Sequence, residues 1–278
     1  MMLKSKKLLF QSLERMDAPE ISSAQREYLL KCKKEKRRVK FWQWSLMVLF
    51  LLAWEVGARV GFINSFVFSS PSGVIETIVT MSKDGSLWHH TGITLLETFV
   101  SFALVFLIAI SLAILLWWNE TLSGILEPYL VMLNSLPKSA LAPVFIVWLG
   151  ANMKTIIVAA VSVAVFGSVL TLYHSFSEME EDKLKLIYTL GGKKKDALTK
   201  VILPGNVPTM FSLMKVNLGL SLVGVIIGEF LAARAGLGYL IIYASQVFKL
   251  DYVITSIFIL CLISVVLYRI IAQLEKKY

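Results

Sequence analysis

EMEEDKLKLIYTLGGKKKDALTKVILPGNVP, residues 178–208, is a long polar interruption in an otherwise apolar chain. A polar connection between membrane spans has no reason to keep apolar helical faces unless those faces pack against something. We therefore predict that this segment forms helices that dock on a partner protein. The apolar residues at helical spacing are Leu184, Ile187, Leu190, Ala197, Leu198, Val201 and Ile202.

The composition around this segment is that of a membrane protein. Hydrophobic residues make up 56% and charged residues 17% of the 278 residues, and the mean hydropathy is +0.70. Soluble domains carry about 25% charged residues. A helix needs about 20 apolar residues to cross a bilayer. The sequence therefore predicts an all-α polytopic membrane protein with about six transmembrane helices, at residues 41–60, 93–118, 125–150, 155–173, 210–231 and 252–272.

Positive charge indicates the orientation. Twelve of the 28 Lys and Arg residues lie in residues 1–40. With six spans, this tail, the 174–209 connection between the fourth and fifth spans and Lys276–Lys277 fall on one side, which the positive-inside rule makes cytoplasmic. We expect a basic cytoplasmic tail at residues 1–40, attracted to lipid headgroups rather than to nucleic acid, and a transmembrane domain at residues 41–278.

The third apolar stretch contains Pro128, Pro137 and Pro143, so it is predicted to be a broken helix. Polar groups inside a span indicate a transport pathway by default. The alternative is a kink satisfied by neighbouring helices, with Lys138 reaching towards the membrane surface. Both interpretations remain open for the polar cluster at the middle break, Asn134, Ser135, Lys138 and Ser139.

Outside this cluster, Glu229 is an ionisable residue in apolar sequence, predicted either to pair with Arg234 or to cap a turn. Adjacent His89 and His90 do not share a helix face, so no metal site is expected. Ser70 followed by a proline is typical of a helix N-terminus and predicts a short amphipathic helix between the first two spans.

Local rules predict two short helices in the 178–208 segment. Ser177 fits a capping box that starts the first helix, and Gly191-Gly192 ends it, with the lysines of 193–195 answering its free carbonyls. The second helix is expected to stop at Pro204, because a proline pushes the preceding residue out of the helical region.

The spacing of Gly191, nine residues, Val201, one residue and Leu203-Pro204 resembles the EAA loop of permease subunits of binding-protein-dependent ABC importers. PSGVIETI, LEPYLVMLNSLPKSALAPVFIVWLG and VGVIIGEFLAARAGLGYLI look like the nitrate, sulfonate and taurine branch of that family. The resemblance covers residues 41–278.

The resemblance implies a type I, MetI-like permease fold with a cytoplasmic coupling helix in the bacterial inner membrane. It implies two permease copies, suggested to be a homodimer, separate ABC ATPase subunits that bind the ATP, and an extracytoplasmic binding protein. No cofactor and no enzymatic activity are expected of this chain, which has no GxxxxGK[ST] motif. The solute would be small, such as a sulfonate, nitrate, taurine or a vitamin-precursor ring. An ATPase-independent carrier and a non-transporting scaffold are the alternatives.

The chain departs from the family where the loop has Glu-Ala-Ala. The three positions carry Lys185, Leu186 and Ile187, so the usual carboxylate is missing, and Glu181 or Asp182 is a candidate substitute. The residues expected to couple to the ATPase are Lys185, Leu186, Ile187, Leu190, Gly191, Val201, Leu203 and Pro204.

Overall fold

The computed structural model describes residues 23–62 and 64–277, and these residues form helices without any strand. The chain divides into two units, residues 1–65 and 66–278. In the described part, five helices are long and apolar enough to cross a membrane, and one bent helix pair meets the same criteria. The predicted all-α fold with about six spans is confirmed.

The first unit contains helix α1 (Ser23–Arg59), which has 37 residues. At 1.5 Å per residue the helix is about 56 Å long, well beyond the roughly 30 Å of a hydrocarbon core. It continues without a break through residue 40, so the basic residues extend the same helix that carries the first apolar stretch. The division at residue 40 remains a prediction.

Short helices α2 (Ser65–Phe68) and α3 (Pro71–Lys83) follow. The Ser70 side chain accepts a hydrogen bond from the Gly73 N–H at 3.1 Å, which satisfies one of the free donors at the start of α3. The predicted N-cap and helix are therefore confirmed.

The second unit is organised around α7 (Met153–Ser177), which packs against α4 (Ser86–Trp118) and α11 (Val207–Ala232). In the most apolar 18-residue part of each helix, 56% of residues are buried in α7, against 28% in α4, so α7 is the central helix. Helices α12 (Leu237–Gln246) and α13 (Leu250–Lys277) pack on α11.

Small residues allow α7 and α11 to approach closely. A Cβ atom added to Gly224 would lie 2.6 Å from the Ala160 Cα, and one added to Gly228 would lie 3.0 Å from the Ile156 Cα. Spacing of four residues puts both glycines on one helix face, which is how membrane helices pack in the absence of a hydrophobic driving force. The contact sets the position of α11 on α7.

The third span is broken, as predicted. Helix α5 (Glu120–Ser135) and the stretch Lys138–Leu149 meet at an angle of 86°. The second arm is a 3-10 turn, Lys138–Leu141, followed by α6 (Ala142–Leu149). Pro137 lies at the break and Pro143 in the first turn of α6, whereas Pro128 is accommodated inside α5 and does not interrupt it.

The 178–208 segment forms α8 (Glu181–Thr189), α9 (Lys194–Ala197), a π-helix (Leu198–Ile202) and α10 (Leu203–Gly205). The predicted stop at Pro204 is wrong, because Leu203 is helical and Pro204 lies in the first turn of α10. The Leu203 N–H bonds to the carbonyl of Leu198, five residues back. This wider turn carries the helix into the proline, which has no N–H to donate.

The predicted capping box at Ser177 is also wrong. Helix α7 continues to Ser177, and α8 begins at Glu181 with no side-chain hydrogen bond at its N-cap, Glu180. Phe176 is fully buried in the core that also contains Leu198 and Ile202 of the polar segment. Packing of this ring therefore prolongs α7 by a turn beyond the point that local rules indicate.

Candidate functional site

Gly191 reverses the chain at the end of α8. Its φ of +81° lies in the left-handed region, which glycine adopts without the cost that a Cβ brings. The Gly191 N–H donates to the Tyr188 carbonyl at 3.0 Å, and the Gly192 N–H donates to the Ile187 carbonyl at 2.9 Å. These bonds satisfy the last carbonyls of α8, so the predicted glycine stop is confirmed.

The second half of the segment faces inwards. Leu198 and Ile202 are buried in a core shared with Leu172 and Phe176 of α7, and Ala197 is fully buried as well. The partly buried side chains of Leu184 and Leu203 also pack on this core, and Val201 is half-buried. The π-helix is thus attached to the end of the central membrane helix by apolar packing.

The first half of the segment faces outwards. No residue of α8 is buried. Leu186 is 59% exposed, and Leu190, the C-cap of α8, is 76% exposed. They lie one turn apart on the same side, and we call these two residues the outer face of α8. Tyr188 is 46% exposed on another side of the helix. Ile187 is half-buried beside them, whereas Lys185 and Pro204 are exposed.

An ion pair occupies the position of the missing carboxylate. The Lys185 Nζ lies 2.9 Å from the Glu181 Oε2 and 3.9 Å from the Asp182 Oδ1, with all three side chains exposed. The hydrogen bond from Lys185, together with its charge, holds the pKa of Glu181 below its ordinary value. Glu181 lies one turn before Lys185, and its role as a substitute for the missing carboxylate stays a prediction.

Lys194 ties the segment to α4. Its Nζ donates to the Trp118 carbonyl at 2.8 Å and lies 5.4 Å from the centroid of the Trp117 ring. The lysines of 193–195 were predicted to donate to the carbonyls of α8, but Lys194 instead donates to a free carbonyl at the end of α4.

Asn206 makes a second hydrogen-bonded connection between the segment and the membrane helices. Its side chain accepts from Ser175 of α7 and donates to the Ile202 carbonyl at 2.8 Å.

At the broken span, the structure brings Lys138 and Asn134 together. The Lys138 Nζ donates to the Asn134 carbonyl at 2.6 Å and to its Oδ1 at 3.1 Å. The Ser135 hydroxyl donates to the Val131 carbonyl at 2.9 Å, and Ser135 and Ser139 are exposed beside the break. The lysine thus satisfies a carbonyl that the end of α5 leaves free.

Glu229 caps a turn, which decides between the two interpretations offered by the sequence. Its Oε1 accepts from the Thr94 hydroxyl at 2.7 Å, and its Oε2 accepts from the Gly238 N–H at 2.5 Å. Glu229 is only 1% exposed. The carboxyl group therefore joins α11 to α4 and to the start of α12.

The sequence reasoning missed Glu97, which lies on α4 one turn after Thr94, the residue whose hydroxyl donates to Glu229. Glu97 is 2% exposed, and its Oε2 is buried without a hydrogen-bond donor. The sequence could have pointed to Glu97, because it is an ionisable residue inside an apolar stretch, and placing such a residue in a membrane costs free energy unless it has a specific role.

Glu97 also lines an open cavity of about 640 Å³ at the ends of α4, α7 and α11. His89, Asn152 and Arg234 contribute polar groups to its wall. In the part of the chain that the structure describes, no cluster of three or more His, Cys, Asp or Glu residues has the arrangement of a metal site.

Residues 105–278 match the family of binding-protein-dependent transport system inner membrane components. The chain belongs to this family. The match includes the broken span, the 178–208 segment and the Glu229 turn, so the elements described above are those of an importer permease. The family resemblance suggested by Gly191 and Leu203-Pro204 is confirmed.

Relatives of this permease carry several transport names. A probable ABC transporter permease protein of Haemophilus influenzae is 30% identical over 82% of this chain and 92% of its own length. A formylaminopyrimidine transport permease protein of Halalkalibacterium halodurans is 27% identical, covering 82% and 91% of the two chains. The taurine transport system permease protein of Escherichia coli is 23% identical, covering 90% and 96%.

Solved structures show the same fold. A chain of the inward-facing MetNI methionine ABC transporter superposes with a TM-score of 0.61 at 17% identity, over 68% of this chain and 94% of that one. A chain of an amino acid ABC transporter gives a TM-score of 0.56 at 15% identity, over 72% and 98%. The predicted MetI-like fold is confirmed.

Proposed function

We propose that this permease forms part of the membrane pathway of an ATP-driven importer and that residues 178–208 dock on a separate ATPase subunit. The division of the segment into two faces carries this proposal. Leu198 and Ile202 pack into the core that includes the end of α7, while α8 presents an apolar outer face. A partner that moves α8 would therefore also move the ends of α7 and α11.

Substitution of the outer face tests the docking. The double variant Leu186→Asp, Leu190→Asp places two charges on exposed positions, so the chain should still insert and fold. We expect it to lose the ATPase subunit that co-purifies with the wild-type chain from native membranes. Val247→Asp, at the exposed C-cap of α12, is the control. ATPase retained at the wild-type level by the double variant would rule out docking through this face.

The partners follow from the same proposal. The ATPase subunits bind and hydrolyse ATP, an extracytoplasmic binding protein delivers the solute, and two copies of this chain pair as a homodimer. The family match to binding-protein-dependent systems supports the first two. Native mass spectrometry of the purified complex tests the third, since a heterodimer would contain a permease of different mass.

The pathway is proposed to pass the break between α5 and α6, where Lys138 and Asn134 meet. The solute is proposed to be small, of the size of a sulfonate, nitrate, taurine or a vitamin-precursor ring. Relatives named for taurine and aliphatic sulfonates support this size range. Uptake by vesicles that contain the complete importer and its binding protein identifies the solute.

The orientation is also a proposal, with residues 1–40 and both termini in the cytoplasm. Cys32, in the basic part of α1, is a natural reporter. In a Cys261→Ser background, a membrane-impermeant maleimide should label Cys32 in inverted vesicles but not in intact cells. Phe248→Cys, exposed beyond α12, should show the opposite pattern. Labelling of Cys32 in intact cells would reverse the orientation.

An ATPase-independent carrier and a non-transporting scaffold are not favoured by the comparisons. The relatives include chains named as ABC transporter permeases, and the matched family is defined by its use of a binding protein.

A further inference from the structure

Two tryptophans end α4 beside the 178–208 segment. Trp117 is half-buried and Trp118 is 45% exposed, and both come directly after the apolar stretch of the span. Tryptophan is enriched at the level of the lipid headgroups, because its ring is apolar and its indole N–H is polar. The end of α4 therefore marks the height at which this part of the chain leaves the hydrocarbon core.

Lys194 holds the start of α9 at this height. Its Nζ donates to the Trp118 carbonyl and lies 5.4 and 6.0 Å from the centroids of the Trp117 and Trp118 rings. The charge of this lysine is therefore occupied by the end of α4. Its chain neighbours, Lys193 and Lys195, lie at nearly the same height, since consecutive Cα atoms are only about 3.8 Å apart.

The charges of these two neighbours are not neutralised within the segment. Lys193 and Lys195 are exposed, and neither belongs to an ion pair in the part of the chain that the structure describes. Asp196 is taken by Lys200, whose Nζ lies 2.9 Å from the Asp196 Oδ1. Glu120 is the first residue of α5, where the positive end of the helix stabilises its negative charge. Positive charge therefore remains beside the tryptophans.

We propose that Lys193 and Lys195 bind the phosphate group of an anionic phospholipid, in the membrane leaflet that meets the end of α4. Attraction between lysine and anionic headgroups is the chemistry that holds basic segments to membranes. The lysine stems are long and flexible, so both ammonium groups reach the headgroups from a fixed backbone. The lipid lies against Trp117 and Trp118 and holds the 178–208 segment to the bilayer. This contact is separate from ATPase docking through the outer face of α8.

An acidic surface on the ATPase is the competing partner for the same lysines. The tryptophans favour the lipid, because neighbouring indole rings at the end of a span are typical of the membrane interface. Lys194 favours it too, since its bond to the Trp118 carbonyl keeps the adjacent lysines against the membrane end of α4. Measurements on the full-length chain without the ATPase separate the two partners.

Fluorescence quenching by brominated lipid tests the site at the tryptophans themselves. A reporter chain keeps Trp117 and Trp118 and has phenylalanine at the other five tryptophans. In phosphatidylcholine vesicles, we expect brominated phosphatidylglycerol to quench this chain more strongly than brominated phosphatidylcholine does at the same mole fraction. The basic residues of α1 bind anionic lipid as well, but a quencher held there is not reported by the end of α4. The five replaced residues are Trp42, Trp44, Trp54, Trp88 and Trp148.

The double variant Lys193→Ala, Lys195→Ala should remove the preference for the anionic lipid. We expect the affinity for phosphatidylglycerol to fall about fivefold for each lysine removed, the effect of one charge near an anionic surface. Lys193→Arg, Lys195→Arg should keep the preference, since guanidinium groups also bind phosphate. Lys183→Ala, Lys249→Ala removes two positive charges from exposed positions elsewhere and is the matched control, expected to behave like the reporter chain.

Equal quenching by the two brominated lipids, or an unchanged preference in Lys193→Ala, Lys195→Ala, would overturn the proposal. Native mass spectrometry in the wild-type tryptophan background keeps the test decisive if the reporter chain does not fold, and there the double variant should retain one anionic phospholipid fewer than the wild type. Release of that lipid by inorganic phosphate would assign the site to the free ion. Retention of the lipid with loss of the co-purifying ATPase would assign the lysines to the ATPase.

Discussion

Lys194 closes the end of the helix that carries Trp118, since its Nζ donates to the Trp118 carbonyl at 2.8 Å from a position 76 residues further along the chain. The cation also lies over the rings of Trp117 and Trp118, at 5.4 and 6.0 Å from their centroids. The contact joins the segment proposed to dock on the ATPase to α4. It is therefore a second link through which a movement of this segment would reach the membrane helices, in addition to the apolar packing around Ile202.

Lys194→Ala should weaken this connection. A hydrogen bond from a charged group that is partly exposed contributes about 1 kcal/mol to stability, so we expect a small fall in the unfolding temperature. If the contact transmits motion, uptake should fall more than ATP hydrolysis by the assembled importer. Lys249→Ala, which loses a similar contact with the Tyr252 ring outside the segment, is the matched control. An equal fall in uptake and hydrolysis would assign Lys194 to stability alone.

Gly224→Val should disrupt the packing of α7 on α11. The added Cβ would lie 2.6 Å from the Ala160 Cα, a backbone atom that moves only with its helix. Overpacking of this kind costs roughly 2–3 kcal/mol or more, and we expect a large loss of folded protein in detergent. Gly219→Val on the same helix has open space around its Cβ and should be tolerated. Equal yields of the two variants would contradict the close approach.

Substitutions at Gly191 separate backbone strain from docking. No atom lies within 4 Å of a Cβ at this position, but its φ is +81°. Asn tolerates this conformation better than other residues, so Gly191→Asn should fold normally, whereas Gly191→Val should lose about 1–2 kcal/mol. If the glycine allows the ATPase to approach closely, both variants should lose the co-purifying ATPase. Full retention by Gly191→Asn would limit the glycine to its conformational role.

Lys138→Met tests the pathway assignment. Methionine keeps much of the side-chain length but cannot donate to the Asn134 carbonyl, with which Lys138 bonds at 2.6 Å. We expect assembly with the ATPase to survive and solute uptake by reconstituted vesicles to fall. Ser139→Ala, exposed at the same break, shows whether the effect is specific to the charge. Unchanged uptake kinetics in Lys138→Met would leave the lysine with only the capping of α5.

Much of the candidate site was accessible from local sequence. Gly191 was expected to end a helix, and it does so because its left-handed φ favours glycine in any protein. Ser70 was expected to begin one, and its side chain binds the Gly73 N–H. The stop at Pro204 failed, since a π-helix fixed by the buried residues Leu198 and Ile202 leads into the proline. Core packing outweighed the local preference there.

The sequence by itself determined the apolar spans, the break at Pro137 and the position of the polar segment, because these depend on transfer into lipid and on proline geometry, which are properties of neighbouring residues. Only the tertiary structure decided that Thr94 meets Glu229 and that Lys194 reaches Trp118. Those partners lie 135 and 76 residues apart in the chain, and no local pattern records which helices lie side by side. The outward and inward faces of the 178–208 segment likewise became distinct only once the core around Phe176 had formed.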